Sequence, residues 1–311
     1  MKLQFNSELD YQTDAIEAIS NIFKGQRQCQ SNFTVVAGTD ESGTEGKLLT
    51  ELGIGNKLEI DEDDILKNVR EIQLKNGLPP SNTIRKDDYH FDIEMETGTG
   101  KTYVFLRTIF ELNAKYGFTK FIIVVPSVAI KEGVVTEHFK ELYNNVIFKS
   151  SEYKSKNLDV LRDFAISDNI RIMVMTVQSF NKDTNVINME NEKTNGLKPL
   201  QFIQQTKPIV IIDEPQTAAN DAIDSLNPLC TLRYSATHKN INNLMFKLDA
   251  IDAYERQLVK QIEVASIISK ENNNLAYLKL VSVDNKKSPI TAKIEIDRLL
   301  KTGKIKREVV T

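Results

Sequence analysis

Cysteine is nearly absent from this chain. Among 311 residues only Cys29 and Cys230 occur, and neither has metal-ligand spacing around it. That leaves no basis for a structural zinc site or a disulfide framework, and both read as reduced packing or surface thiols. Long hydrophobic runs are absent too. No stretch reaches about 18 apolar residues, so no membrane span is expected. Met1 to Ser7 lacks the apolar core of a secretory signal, which makes the cytoplasm the expected location. There is no excess of charge of one sign: the net charge of −3 neither favours nor excludes DNA. Any nucleic-acid claim must therefore rest on motifs. No internal repeat is present.

What is there is an ordinary globular composition, 41% hydrophobic and 27% charged, in a chain long enough for more than one domain. The most informative stretch is Glu96-Thr97-Gly98-Thr99-Gly100-Lys101-Thr102. It follows the short apolar segment Phe91 to Ile93 and opens a helical pattern carried by Val104, Leu106, Ile109 and Phe110. A glycine turn between strand and helix brings backbone N–H groups close to phosphate oxygens. Lys101 is placed to reach β- and γ-phosphates, the Thr102 hydroxyl to ligate Mg²⁺, and the helix start adds its positive end. The general phosphate-loop pattern asks for glycine where Met95 stands, so this match is imperfect.

Continuous apolar runs follow. Phe121 to Val125 ends at Pro126-Ser127, Ile170 to Met175 at Thr176, and Ile209 to Ile212 at Asp213-Glu214. Such runs predict parallel strands buried on both faces by helices, with ligands beyond their carboxyl ends. All the strand-end candidates sit there: Gly98 to Thr102, Ser127, Thr176 and Asp213. An acid at Asp213 can hold Mg²⁺ through water opposite Thr102. Glu214 can act as general base on the attacking water. Gln216 is a candidate for the γ-phosphate or that water. Ser235 and Thr237, flanking Ala236, are small hydroxyl residues suited to coupling loops. His238 reads as an exposed or locally bonded residue.

Elsewhere, Tyr11 to Phe23 reads as a helix stopped at Gly25. Residues 26–55, with several glycines, read as an irregular excursion, followed by an acidic helix entry and a helix over Ile65 to Leu74 that Gly77-Leu78-Pro79-Pro80-Ser81 breaks. Asn181 to Lys198 reads as a polar surface excursion. From about Ala250 the character changes: Leu258 to Ser266 and Leu275 to Val283 read as strands. A basic tail carries Lys286, Lys287, Lys293, Lys301, Lys304, Lys306 and Arg307, read as a solvated sheet face in preference to a DNA patch.

The order Glu-Thr-Gly-Thr-Gly-Lys-Thr, Val125-Pro126-Ser127, Asp213-Glu214-Pro215-Gln216 and Ser235-Ala236-Thr237 resembles superfamily 2 helicases and translocases. Asp-Glu-Pro-Gln, with Met95-Glu96 before the glycines, resembles the Res (restriction) subunit of type III restriction–modification enzymes. Leu9-Asp10-Tyr11-Gln12, Asn76 to Ser81 and Gln178-Ser179-Phe180-Asn181 extend the resemblance over essentially the whole chain. The resemblance implies a RecA-like, α/β P-loop NTPase lobe over residues 1–250, with residues 26–85 as an irregular and helical insertion. It implies a partial, strand-rich segment over 251–311.

It further implies an ATP hydrolase with ATP and Mg²⁺, working on duplex DNA beside a methyltransferase (modification) subunit, within an endonuclease. Position by position, Gln12 matches the glutamine that reads adenine. Thr97 to Thr102 match the phosphate and Mg²⁺ contacts, and Asp213 and Glu214 the Mg²⁺ ligand and hydrolytic base. Ser127 and Thr176 match segments touching the DNA backbone, Ser235 and Thr237 the motif linking hydrolysis to DNA movement. The family's second lobe supplies arginines to the γ-phosphate, and no second-lobe motif follows Thr237. The expectation is a chain that binds Mg-ATP weakly and turns it over poorly. A non-catalytic remnant binding DNA or the modification subunit, and another superfamily 2 motor such as a type I restriction enzyme, are the alternatives.

Overall fold

The computed structural model describes residues 9–36, 50–85, 89–126, 148–153, 159–190, 198–215, 220–259, 277–286, 289–300 and 302–311. The chain divides into two compact units, Met1–Lys260 and Gln261–Thr311.

The first unit is built on a seven-stranded sheet. Its strands are β3 (His90–Met95), β4 (Lys120–Val125), β5 (Phe148–Glu152), β6 (Ile170–Thr176), β7 (Ile209–Asp213), β8 (Cys230–Ser235) and β9 (Leu244–Leu248). They run in the order β5-β6-β4-β7-β8-β3-β9, and every pairing is parallel. All carboxyl ends therefore lie along one edge. Strand alternation divides the side chains between two cores. Phe121, Ile123, Val125, Ile209 and Ile211 enter one core, which is shared with α1 (Asp10–Ser20), α2 (Glu62–Lys75) and α3 (Lys101–Tyr116). Ile122, Val124, Val210 and Ile212 enter the other, with α4 (Asp159–Ile166), α5 (Pro199–Thr206) and α6 (Asn220–Asp224). The apolar runs are continuous because both faces are covered, as a helix-flanked parallel sheet requires.

Helix boundaries follow from local chemistry. Asp61 caps α2 by accepting from the Asp64 N–H at 2.9 Å, and three acids fill its first turn, where the helix dipole favours them. α3 ends on Gly117 at φ 74°, a left-handed position that suits glycine.

Two sequence expectations change. Residues 26–55 are not irregular throughout: β1 (Gln30–Val36) and β2 (Thr50–Asn56) pair antiparallel. The glycines that read as loop signals serve close approach instead. A Cβ at Gly53 would stand 2.2 Å from the Phe33 ring, and one at Gly55 2.9 Å from the Thr206 carbonyl, so both are strand glycines under other groups. Leu258 does not begin a strand. It closes α7 (Ala250–Glu255), its N–H donating to the Ala253 carbonyl at 2.9 Å while Gln257 takes φ 57°. This is the helix-ending pattern of nested bonds around a left-handed residue. Positions 260 to 266 of that expected strand lie outside the described residues.

The second unit carries an antiparallel sheet, β10 (Leu278–Asp284), β11 (Thr291–Leu299) and β12 (Ile305–Val310), in that order. Part of the basic tail is neutralised within it. Arg307 pairs with Asp297 at 2.7 Å and lies 3.7 Å from the Tyr277 ring centre.

Candidate nucleotide site

The turn after β3 is the focus of the carboxyl edge. Gly98 and Gly100 take φ 85° and 90°, conformations that side chains resist. At Gly100 space is limiting as well, since a Cβ would stand 2.5 Å from Gln12 Nε2. Thr97 is exposed and Thr99 buried. The Thr99 hydroxyl donates to the Glu96 carbonyl at 2.6 Å, tightening the turn. Lys101 and Thr102 open α3, both half-buried.

α1 closes over this turn. Gln12 Nε2 donates to the Thr99 carbonyl at 3.0 Å, and the Tyr11 hydroxyl donates to the same oxygen at 3.0 Å. Because a carbonyl can only accept, the Gln12 amide must face it with its NH₂. Its Oε1 is then left buried with no hydrogen-bond partner. Buried acceptors are seldom left so.

β7 brings the acids, two places from β3 across β8. Asp213 is buried. Burial pushes its carboxyl above the ordinary range; the Lys101 charge opposes that shift and the Glu214 charge adds to it. Glu214 adopts φ 55°, a conformation of sparse population for a residue with a side chain. Its Oε1 is 2.7 Å from Lys101 Nζ, and its Oε2 accepts from the Ser235 hydroxyl at 2.8 Å. Lys101, Glu214 and Ser235 thus meet in one cluster. The Ser235 Oγ also lies 2.8 Å from the Thr237 carbonyl, so the triplet folds back on its own first residue.

A buried ionic layer lies beneath. Arg233 on β8 grips Asp92 on β3 through two bonds of 2.5 and 2.7 Å. The Asn242 N–H donates to the same carboxylate at 2.6 Å, and the His238 N–H to Glu94 at 3.0 Å. His238 is therefore locally bonded rather than exposed, its side chain only 2% accessible. Breaking a buried pair of this kind costs about 3–5 kcal/mol. The sequence reading passed over Asp92 and Arg233. Their signal was available: one acid between Phe91 and Ile93 and one base between Leu232 and Tyr234, each flanked by apolar residues in a short strand. Tyr11 was read only as the start of a helix, without a role at the site.

The remaining expectations divide. Thr176 ends β6 beside Val125 of β4. It precedes a 3-10 turn without a side-chain capping bond, and its carbonyl accepts from the Ser179 hydroxyl at 2.5 Å. Thr237 is exposed. Ser127 and Gln216 lie outside the described residues. Among the described residues no three His, Cys, Asp or Glu side chains gather as a metal cluster, and no helix is long and apolar enough to cross a membrane.

Comparison with known proteins gives the chain's family. Residues 7–245 match the family described as "Type III restriction enzyme, res subunit". The chain is 30% identical over 291 residues to the EcoPI Res subunit of Escherichia phage P1, covering 83% of this chain and 28% of that protein. It is 31% identical over 243 residues to the EcoP15I Res subunit of Escherichia coli, covering 66% and 24%. It thus spans about a quarter of the length of these type III restriction-modification relatives. A nuclease-deletion mutant of the Type ISP restriction-modification enzyme LlaGI, solved with a DNA substrate mimic, is similar over 65% of this chain and 21% of its own. Its TM-score is 0.37 and its identity 13%, too distant to bear on the site. By the extent of the family match, the chain belongs to the type III restriction enzyme Res-subunit family.

Proposed function

We propose that the first unit is an ATP-binding motor lobe. In a whole restriction enzyme, its hydrolysis of Mg-ATP would drive movement or switching on duplex DNA, beside a modification subunit that reads the sequence. The observation that carries this reading is the meeting of Lys101, Glu214 and Ser235. These residues come from segments 113 and 21 positions apart in the chain. Each lies at or beyond the carboxyl end of a parallel strand, at the edge where such sheets bind ligands.

In this reading the glycine turn Thr97 to Gly100 cradles the phosphates with backbone N–H groups. Lys101 exchanges Glu214 for β- and γ-phosphate oxygens. Glu214, still held by Ser235, then accepts a proton from the attacking water as the γ-phosphorus–oxygen bond breaks and ADP leaves with the bridging oxygen. The buried Gln12 Oε1 is an unused acceptor. It suits the 6-amino group of adenine, where guanine carries a carbonyl oxygen that would meet it as a second acceptor.

Asp213 and the Thr102 hydroxyl would hold Mg²⁺, and their chemistry fits. Both offer hard oxygen, Mg²⁺ keeps most of its waters, and a cation beside Asp213 would offset the burial that raises its carboxyl. When bound, the metal neutralises phosphate charge. Ser127, Thr176, Ser235 and Thr237 are assigned to contact with the DNA backbone or to coupling.

The test is ATP affinity in the Lys101→Ala variant, read by equilibrium binding. An about 100-fold loss is expected for removing a charge-assisted phosphate contact. Unchanged affinity would reject the site.

A further inference from the structure

Tyr11 is core by burial, at 7% accessibility, yet its hydroxyl ends on the glycine turn. It donates to the Thr99 carbonyl at 3.0 Å, and Gln12 Nε2 donates to the same oxygen from the next position on α1. Gln12 Nε2 also lies 3.3 Å from the Tyr11 hydroxyl. One carbonyl thus takes two bonds from two successive side chains, a heavy commitment for a turn of small residues. In a planar trans peptide the C=O and the following N–H point in opposite directions. Holding the Thr99 carbonyl toward α1 therefore aims the Gly100 N–H away from α1. Gly100 sits at φ 90° and ψ 32° and lacks a side chain, so nothing within the residue itself fixes that plane. The pair on α1 supplies what the glycine cannot.

We infer that Tyr11 is a positioning residue for phosphate binding: its hydroxyl fixes the Thr99–Gly100 peptide plane so that the Gly100 N–H faces the phosphate chain. Gln12 shares this task while its Oε1 remains for the base. The Tyr11 hydroxyl bonds the turn and meets the Gln12 amide only at its nitrogen, not at the Oε1 kept for the base, so its effect is on phosphates and not on base choice. This rests on the ATP-site reading above, and the test separates the two.

Tyr11→Phe removes one oxygen and keeps the buried ring. Binding of ATP, GTP and inorganic tripolyphosphate is measured on this chain and its variants. A hydrogen bond of this kind supports a fall of about 5-fold. That fall is expected equally for ATP and tripolyphosphate, with the ATP-to-GTP ratio unchanged and the melting midpoint within ~2 °C. A second readout is spectroscopic. In the unmodified chain the Gly100 amide proton resonance is expected to move downfield on tripolyphosphate binding, and by less in Tyr11→Phe. Tripolyphosphate affinity unchanged in Tyr11→Phe, a loss confined to base selectivity, or an unmoved Gly100 resonance would each overturn the inference. If Lys101→Ala also leaves ATP binding intact, the ATP site itself is what has failed. If Lys101→Ala abolishes binding and Tyr11→Phe does not weaken it, only the positioning role falls.

Discussion

The two edges of the seven-stranded sheet hold their buried amide side chains in different ways. At the amino edge Asn56 is saturated, though the Thr119 and Thr231 hydroxyls at the same edge are buried without partners. Asn56, at the end of β2, donates to the Lys120 and Lys207 carbonyls at 2.8 and 3.1 Å. Its oxygen accepts from the Thr119 and Lys120 N–H groups at 2.9 and 3.2 Å. One side chain thus satisfies groups on β4, its approach and the approach to β7. At the carboxyl edge the polar groups are held in contacts that a ligand can exchange. Gln12 has an unused acceptor, Lys101 is paired to an acid that is itself a candidate base, and Glu214 holds a left-handed backbone. Saturation fixes a structure. Replaceable partners and strain are the marks of a site, because a ligand must gain something on arrival.

The sharpest way to break that comparison is to exchange the two kinds of effect. Asn56→Ala should destabilise the first unit by about 3 kcal/mol, since it leaves buried N–H and C=O groups without partners. ATP affinity measured below the melting transition should stay within about 2-fold, because nothing at the carboxyl edge has changed. Denaturant unfolding and nucleotide binding on the same samples check both halves. Lys101→Ala should do the reverse: the 100-fold loss of ATP affinity proposed above, with stability within about 1 kcal/mol, because Lys101 is at the half-buried end of a helix. A large stability loss in Lys101→Ala would mean that its pair with Glu214 is structural.

Gln12→Ala sharpens the comparison within the site. Removing the acceptor proposed to meet the adenine 6-amino group should lower the ATP-to-GTP preference about 10-fold. It should also weaken tripolyphosphate to a smaller extent, through the lost bond to Thr99. Competition of GTP against a bound adenine nucleotide measures the first effect. A preference that survives the substitution would show that the buried oxygen does not read the base.

How much of this was legible in the sequence depends on where a signal is stored. β4, β6 and β7 were legible because full burial demands continuous apolar runs, and Gly98 and Gly100 because their dihedrals tolerate little else. β9 was not read. Its Leu-Met-Phe-Lys-Leu run lies at the sheet edge, where one Lys247 faces solvent and the apolar run is interrupted. The β1–β2 pair was misread because Gly53 and Gly55 signal loops locally, while their reason is a ring and a carbonyl brought near by the fold. The cluster itself was half legible. Lys101 and Glu214 follow from motif, but the Tyr11 hydroxyl meets Thr99 across 88 positions, and no local pattern encodes that.

The smallest expected effect lies at the amino edge, in Lys120. Its side chain is fully buried, and its ammonium donates to the Phe164 carbonyl at 2.7 Å and to the Ser167 carbonyl, beyond the last turn of α4. Burial, with Arg171 adding like charge, lowers its pKa to about 7 against the nearby Asp163 and Asp168. The unfolded chain holds that proton to about pH 10.4, so between these values the unfolded state binds more protons than the folded one. Stability must then rise with pH through that window. Lys120 costs most below pH 7 and progressively less above it. The two carbonyl bonds favour the ammonium and oppose the shift, which limits the gain to about 1 kcal/mol between pH 7 and 8.5. Lys120→Met should remove the slope, giving the variant its largest advantage over the parent at pH 6 and the smallest at pH 8.5. Urea midpoints at the two pH values measure it. ATP affinity should not follow the same curve, since the lysine proposed to meet nucleotide is Lys101, at the other end of the strands.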